Sequence, residues 1–303
     1  MKIPEISFEG RSAFIVTKPL QLMIAGSIID QLGIKDNVDI LLTDDFSGSR
    51  AAFERYKATN NAAPWGEMKF FDCKSAAFRH IQKQKNYKQI LVDSDVGARN
   101  ALQLARLLIS YKKVRIFAYE EGIGTYRSDL YASTKKFILD RFGVGTCFGG
   151  SAMTSGIFVH EPERYKEATK SKARMVCGIR KSLGEFILHN MEFLSYLFGF
   201  SGIPHSGNND YCLLYLTNYS FDQKIISQFR NNGKDFFVKP HPHIKNINPT
   251  ALGVDADALL PAVTPAEIII KFLRDRYEKV TVYHHGSSAA YYMSDSDVKF
   301  ILL

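Results

Sequence analysis

Two Rossmann-like α/β domains are what this sequence predicts, from three features of its patterning. Short β-rich runs alternate with helical patterns along the first half. A long apolar helical stretch and a loop-rich break then interrupt the series, and a second series of the same kind follows.

The first series reads AFIVT (Ala13 to Thr17), VDILLT (Val38 to Thr43), MKFFDC (Met68 to Cys73), QILVDSD (Gln89 to Asp95) and VRIFAYEEG (Val114 to Gly122). Each run is rich in β-branched and aromatic residues, as buried parallel strands are. Between the last two lies NALQLARLLISYKK, in which Leu102, Ala105, Leu108 and Ile109 fall on one helical stripe. Lys181 to Phe200 is the long apolar helix pattern, and SGIPHSGNND (Ser201 to Asp210) holds residues that end helices and make loops. The expected boundary follows, with domains at residues 1–205 and 206–303. The second series comprises YCLLYLT (Tyr211 to Thr217), a helix through Gln223 to Phe229, DFFVKPHPH (Asp235 to His243), a helix from Pro265, VTVYHH (Val280 to His285) and the closing VKFILL. In such sheets ligands bind at the carboxyl ends of the strands.

At 303 residues and 46% hydrophobic content, the chain can fill one large domain or two of ordinary size. The four cysteines, Cys73, Cys147, Cys177 and Cys212, lie far apart with no C-x-x-C pair, which predicts neither a disulfide framework nor a zinc knuckle. No long apolar run suggests a signal peptide or a membrane span, so a cytoplasmic protein is expected. The net charge of +8 is concentrated in runs such as Arg79 to Gln89 and Lys166 to Lys181. Solvated helix faces have this composition, but the total favours an anionic partner. Without an arginine-rich run or an RNA-binding signature, nucleic acid is not expected.

Three constellations sit at strand ends. The first is YEEGIGTYR, Tyr119 to Arg127, where adjacent glutamates point to opposite sides of an extended chain and only one can face a ligand squarely. A solvated acidic turn would read the same way. The second is VKPHPHI, Val238 to Ile244, in which Pro240 and Pro242 hold the chain extended and lean His241 and His243 to one side. A stiffened surface loop fits too, and H-x-H also invites a metal. The third is HHGSSAA, where Gly286, Ser287 and Ser288 join a strand to a helix and offer hydroxyls, amides and a helix terminus to a phosphate. An ordinary serine cap gives the same letters.

In this order, Glu120-Glu121-Gly122, His241-Pro242 and Ser287-Ser288 resemble the motifs of the bacterial sialyltransferases of glycosyltransferase family 52 and the related capsule polysialyltransferases. The opening VTKPLQLMIAGSII, with Gln21 in its loop, and LLPAVTPAEIII, with Glu267 placed to hold a ribose, extend the likeness over nearly the whole chain. The resemblance implies a GT-B fold of two Rossmann-like domains facing across a cleft. It further implies a CMP-activated nonulosonic acid such as sialic acid as donor, a cell-surface glycan as acceptor, and inverting transfer without a metal or other cofactor.

On that resemblance, the first domain binds acceptor and carries the general base, and the second binds CMP. Glu120 is the expected base and His241 the expected acid at the departing phosphate, since a positioned carboxylate and imidazole suit those proton transfers. Gly122, Lys239, Pro242, Glu267, Gly286, Ser287 and Ser288 are expected on the donor, with Gln21, Glu121, Arg127, His243 and His285 in support. His243 can share or replace the role of His241. The acceptor can be lipid-linked, on lipooligosaccharide, O-antigen or capsule, with the basic first domain resting on anionic lipid of the inner membrane. Two other classes stay open: a metal-dependent hydrolase using His241, His243, His284 and a carboxylate, and a nucleotide-binding or nucleic-acid-binding module without turnover.

Overall fold

The computed structural model describes residues 8–59, 63–170, 172–203, 210–230, 235–242, 244, 249, 253–293 and 297–303. It divides into two compact units, Met1–Ser182 and Leu183–Leu303.

The first unit runs β1 (Arg11–Val16), α1 (Pro19–Leu32), β2 (Val38–Thr43), α2 (Ser49–Lys57), β3 (Glu67–Phe71), α3 (Lys74–Gln84), β4 (Tyr87–Val92), α4 (Gly97–Ser110), β5 (Arg115–Tyr119), α5 (Ser133–Arg141), β6 (Gly156–Val159), α6 (Pro162–Thr169) and β7 (Val176–Gly178). Its seven strands lie in the order β3-β2-β1-β4-β5-β6-β7, all parallel. Phe14 pairs with Ile40 on one side and with Leu91 on the other. β1 and β2 are buried on both faces, which is why they read as unbroken apolar runs. Pro19 starts α1 at a position where its missing amide costs nothing, and Gly33 ends it at φ 63°.

All five expected strands of this unit are present. β6 and β7, of four and three residues, were too short to announce themselves by pattern. The stripe expected on α4 is rotated: Ala101, Leu104 and Leu107 are buried against the sheet, while Leu102 is 53% and Ile109 77% exposed. Apolar residues surround this helix, so spacing alone could not choose its inner face.

The second unit runs α7 (Leu183–His189), α8 (Met191–Phe198), β8 (Tyr211–Leu216), α9 (Gln223–Arg230), β9 (Asp235–Lys239), α10 (Ala266–Arg274), β10 (Lys279–His284), α11 (Ala289–Tyr292) and β11 (Val298–Leu302). Its parallel sheet has the order β11-β10-β8-β9, with Leu214 opposite Val282 and Val282 opposite Phe300. The long helix expected over Lys181 to Phe200 is broken at Asn190, whose side-chain amide donates to the Phe186 carbonyl at 2.8 Å. The unit boundary also precedes this helix pair instead of following it at residue 205. α7 and α8 pack on α10, the Phe200 ring lies edge-on to Phe272 at 5.1 Å, and Arg276 donates to the Ile203 carbonyl at 2.5 Å.

Among the described residues, no helix is long and apolar enough to cross a membrane. All four cysteines are free thiols, with Cys147, Cys177 and Cys212 buried.

Candidate functional site

In the first unit the strand order reverses between β1 and β4, so their carboxyl ends open the crevice typical of this topology. Thr17 follows β1 directly. Its amide donates to Gln21 Oε1 at 2.8 Å, and its hydroxyl lies 2.9 Å from that oxygen and 2.9 Å from Asp93 Oδ2. Lys74, opening α3, pairs with the other Asp93 oxygen and reaches Asn100 Oδ1 at 3.3 Å. Gln21 Nε2 is buried with no hydrogen-bond partner among the described residues. Lys18 Nζ meets Glu121 Oε2 at 3.1 Å, joining the ends of β1 and β5 across β4. Beneath them the Tyr119 phenol is raised well above its ordinary range by burial, with the charges of Asp93 and Glu121 adding to the effect. Asp93 and Lys74 went unread in the sequence, although an aspartate ending a strand at a switch point was a signal available in QILVDSD.

The two glutamates separate as an extended chain requires. Glu120 is 0% exposed, and its Oε2 accepts from the Tyr126 hydroxyl at 2.7 Å and the His160 amide at 2.7 Å, with His160 Nδ1 at 3.2 Å. A base must reach an acceptor hydroxyl, and this carboxylate is enclosed by its own unit. Glu120, the expected base, is thus the enclosed member of the pair, and Glu121, with a side chain 23% exposed, is the more open one. Gly122 turns the chain at φ 131°, ψ −164°, a region that only glycine occupies readily. Arg127 is paired with both oxygens of Asp129, at 2.9 and 3.1 Å.

Asp95 belongs to the scaffold. It accepts from the Gly149 and Ser151 amides at 2.8 and 2.9 Å and from the Thr154 hydroxyl at 3.0 Å, fixing the loop before β6. Burial pushes its carboxyl up, against those hydrogen bonds.

In the second unit, residues at the ends of β8, β9 and β10 gather at one edge of the sheet. The His241 amide donates to Thr217 Oγ1 at 2.9 Å, and its ring rests 4.5 Å from that of Tyr219. Pro242 follows in a turn and is partly exposed, while His243 lies outside the described residues. Lys239 was expected to contact donor; instead it is 5% exposed, with Nζ donating to the carbonyls of Pro240 and Ala262, each at 2.9 Å. Burial pulls its pKa down to about 8, with the Glu267 charge opposing. Lys239 thus ties the end of β9 to the loop entering α10, where Glu267 sits in the first turn. Glu267 is 4% exposed, and burial raises its carboxyl, with Lys239 opposing.

At β10 the two histidines divide their work. His284 Nδ1 accepts from the amides of Gly286 and Ser287, both at 3.1 Å, so its neutral ring orders the serine turn. Burial, and then the neighbouring His285, lower its pKa. His285 Nε2 lies 3.1 Å from the Tyr215 hydroxyl. Ser287 Oγ accepts from the Ala289 amide at 3.3 Å, and Gly286 turns at φ 79°. The expected phosphate site loses two of its elements here, because those turn amides are given to His284 and α11 is only four residues long. The serine hydroxyls and the His241 ring remain as groups suited to an anion. Among the described residues, no group of three or more His, Cys, Asp or Glu side chains is arranged to hold a metal ion.

No protein-family model matches the chain. No curated protein matches it by sequence. Solved structures do match. An α/β-galactoside α-2,3-sialyltransferase from Photobacterium phosphoreum aligns over 96% of this chain and 90% of its own, with TM-score 0.56 and 10% identity. A sialyltransferase from Photobacterium damselae, represented by its GT-B domain, aligns over 97% and 90%, with TM-score 0.51 and 14% identity. The calicheamicin glycosyltransferase CalG4 aligns over 98% and 80%, with TM-score 0.51 and 11% identity. With two parallel sheets of its own, the chain has a fold of the GT-B type.

Proposed function

We propose that this chain is a glycosyltransferase that moves a CMP-activated nonulosonic acid, such as sialic acid, onto a hydroxyl of a cell-surface glycan. The observation that carries the reading is the division of the E-E-G pair on a GT-B type fold: Glu120 braces the strand end from inside and Glu121 is left open beside Lys18. Sialyltransferases among the structural matches support the choice of donor. The partially open Glu121 carboxylate takes the proton of the acceptor hydroxyl as its oxygen bonds to the anomeric carbon. The bond from that carbon to the CMP phosphate oxygen breaks, and its electron pair leaves with CMP.

His241 donates to the departing phosphate, with the Ser287 and Ser288 hydroxyls sharing the charge. Attack opposite the leaving group inverts the anomeric centre. In this reading no metal is required, and Thr217 sets the direction of the His241 backbone through its amide.

Incubation with CMP-sialic acid, alone and with a panel of glycans, tests the proposal through CMP release. Acceptor-dependent release that persists in chelator and is lost in Glu121→Gln and His241→Ala is expected. Release abolished by chelator would favour the metal-dependent hydrolase, and absence of both release and CMP binding would overturn the reading.

A further inference from the structure

α5 is amphipathic in the wrong sense for a helix packed on a globular unit. None of its residues is fully buried; Lys136 and Leu139 are half-buried, and Lys136 Nζ donates to the Ser128 carbonyl at 2.7 Å. The opposite side carries the large apolar side chains: Phe137 is 73%, Ile138 51% and Phe142 76% exposed. Lys135 and Arg141 are exposed on that same outer side. Asp140, the acid of this helix, is neutralised by Lys172. Two exposed phenylalanines flanked by cations, with the local acid already paired, form a surface suited to a phase that is apolar inside and anionic at its rim.

The neighbouring helix repeats the composition. The chain steps β4-β5-β6 in one direction along the sheet, and right-handed crossovers put α4 and α5 on the same face. Leu102 and Ile109 stand out from α4, with Arg106 exposed between them. An aqueous surface gives neither helix a reason for such residues. A hydrophobic protein partner would cover the rings but would leave the cations without a counter-charge.

We infer that this face of the first unit, centred on α5, docks on an anionic lipid bilayer, with Phe137, Ile138 and Phe142 inserted at the headgroup boundary and Lys135 and Arg141 among the phosphates. The docking is independent of the catalytic reading, since it uses no residue placed on donor or acceptor.

Flotation of the full chain with phosphatidylcholine vesicles, with and without phosphatidylglycerol, tests it. The unsubstituted protein should float with the anionic vesicles and remain below with the neutral ones. Phe137→Ser with Phe142→Ser, and separately Lys135→Glu with Arg141→Glu, should each lower the partition coefficient by about tenfold or more. Both pairs are at the surface and should leave the melting temperature unchanged; should one pair destabilise the fold, the other still decides. Failure of the protein to float with anionic vesicles, or variants that float as well as the original, overturns the inference. So does a dimer that the double serine variant dissociates in gel filtration while flotation is absent, because the face would then belong to a second copy.

Discussion

Glu120 and Glu121 are chemically identical neighbours that the fold sends to opposite environments, since consecutive side chains of an extended segment point to opposite sides. Glu121→Gln should therefore lower turnover by about 100-fold or more, the scale of losing a catalytic proton acceptor, with little change in melting temperature. Glu120→Ala should instead remove about 2 to 4 kcal/mol of stability, because the Tyr126 hydroxyl and the His160 amide lose their buried acceptor. Turnover and thermal denaturation measured on both variants separate the roles; a fully active Glu121→Gln would return the base to another residue.

At the opposite edge of the sheet, Asp39 gathers Arg11, Lys69 and Tyr87. Burial alone would raise its carboxyl, but hydrogen bonds from Arg11, Lys69 and Tyr87 outweigh burial and hold it below its ordinary value. A depressed folded pKa gives stability that is present above the unfolded pKa, about 3.9, and lost as pH falls through the folded one. Urea denaturation from neutral pH into this acid range should show a loss that Asp39→Asn abolishes.

The elements were legible where one signal sufficed and illegible where packing chose between equals. Val38–Thr43 was readable to the residue, because a strand buried on both faces has no alternation to blur. The inner face of α4 was not, since Leu102 and Leu104 are equally apolar and only the sheet decides between them. The E-E-G turn announced a carboxylate and a glycine, but which glutamate faced outward depended on where β5 stopped. Gly122 is the backbone hinge of that choice. Gly122→Ala should cost about 1 to 3 kcal/mol through its φ of 131°, and should lower turnover by displacing Glu121. Thermal melts with parallel CMP-release assays test this, and an unchanged melt would show that the turn tolerates a side chain.

Lys239 offers a different reading of a strand end. Its folded pKa of about 8 lies below the ordinary 10.5, so between those values the unfolded chain binds more protons and stability rises with pH. Below pH 8 the full cost of burying the ammonium is present. Denaturation across that window should show a rise that Lys239→Met removes.

At the scale of the whole molecule, two βα series fixed the fold class, because each must bury its own sheet beneath helices. The boundary escaped because the loop-rich SGIPHSGNND resembled a linker more than the short Lys181-Ser182 step before α7 did, although Phe200 and Ile203 pack with the second unit. Each unit has its own core: Ile15, Ile90, Leu104 and Ile116 in the first, Tyr215, Ile226 and Val238 in the second. Separate cores allow separate responses to a ligand. If the second unit binds the nucleotide, CMP at about a hundredfold its Kd should add about 2.7 kcal/mol to the opening of that unit. Hydrogen exchange read by mass spectrometry should then show protection at the ends of β8, β9 and β10, with amides of β1 to β7 unchanged. Protection confined to the first unit would reverse the assignment of donor and acceptor sides and would move the leaving-group role away from His241.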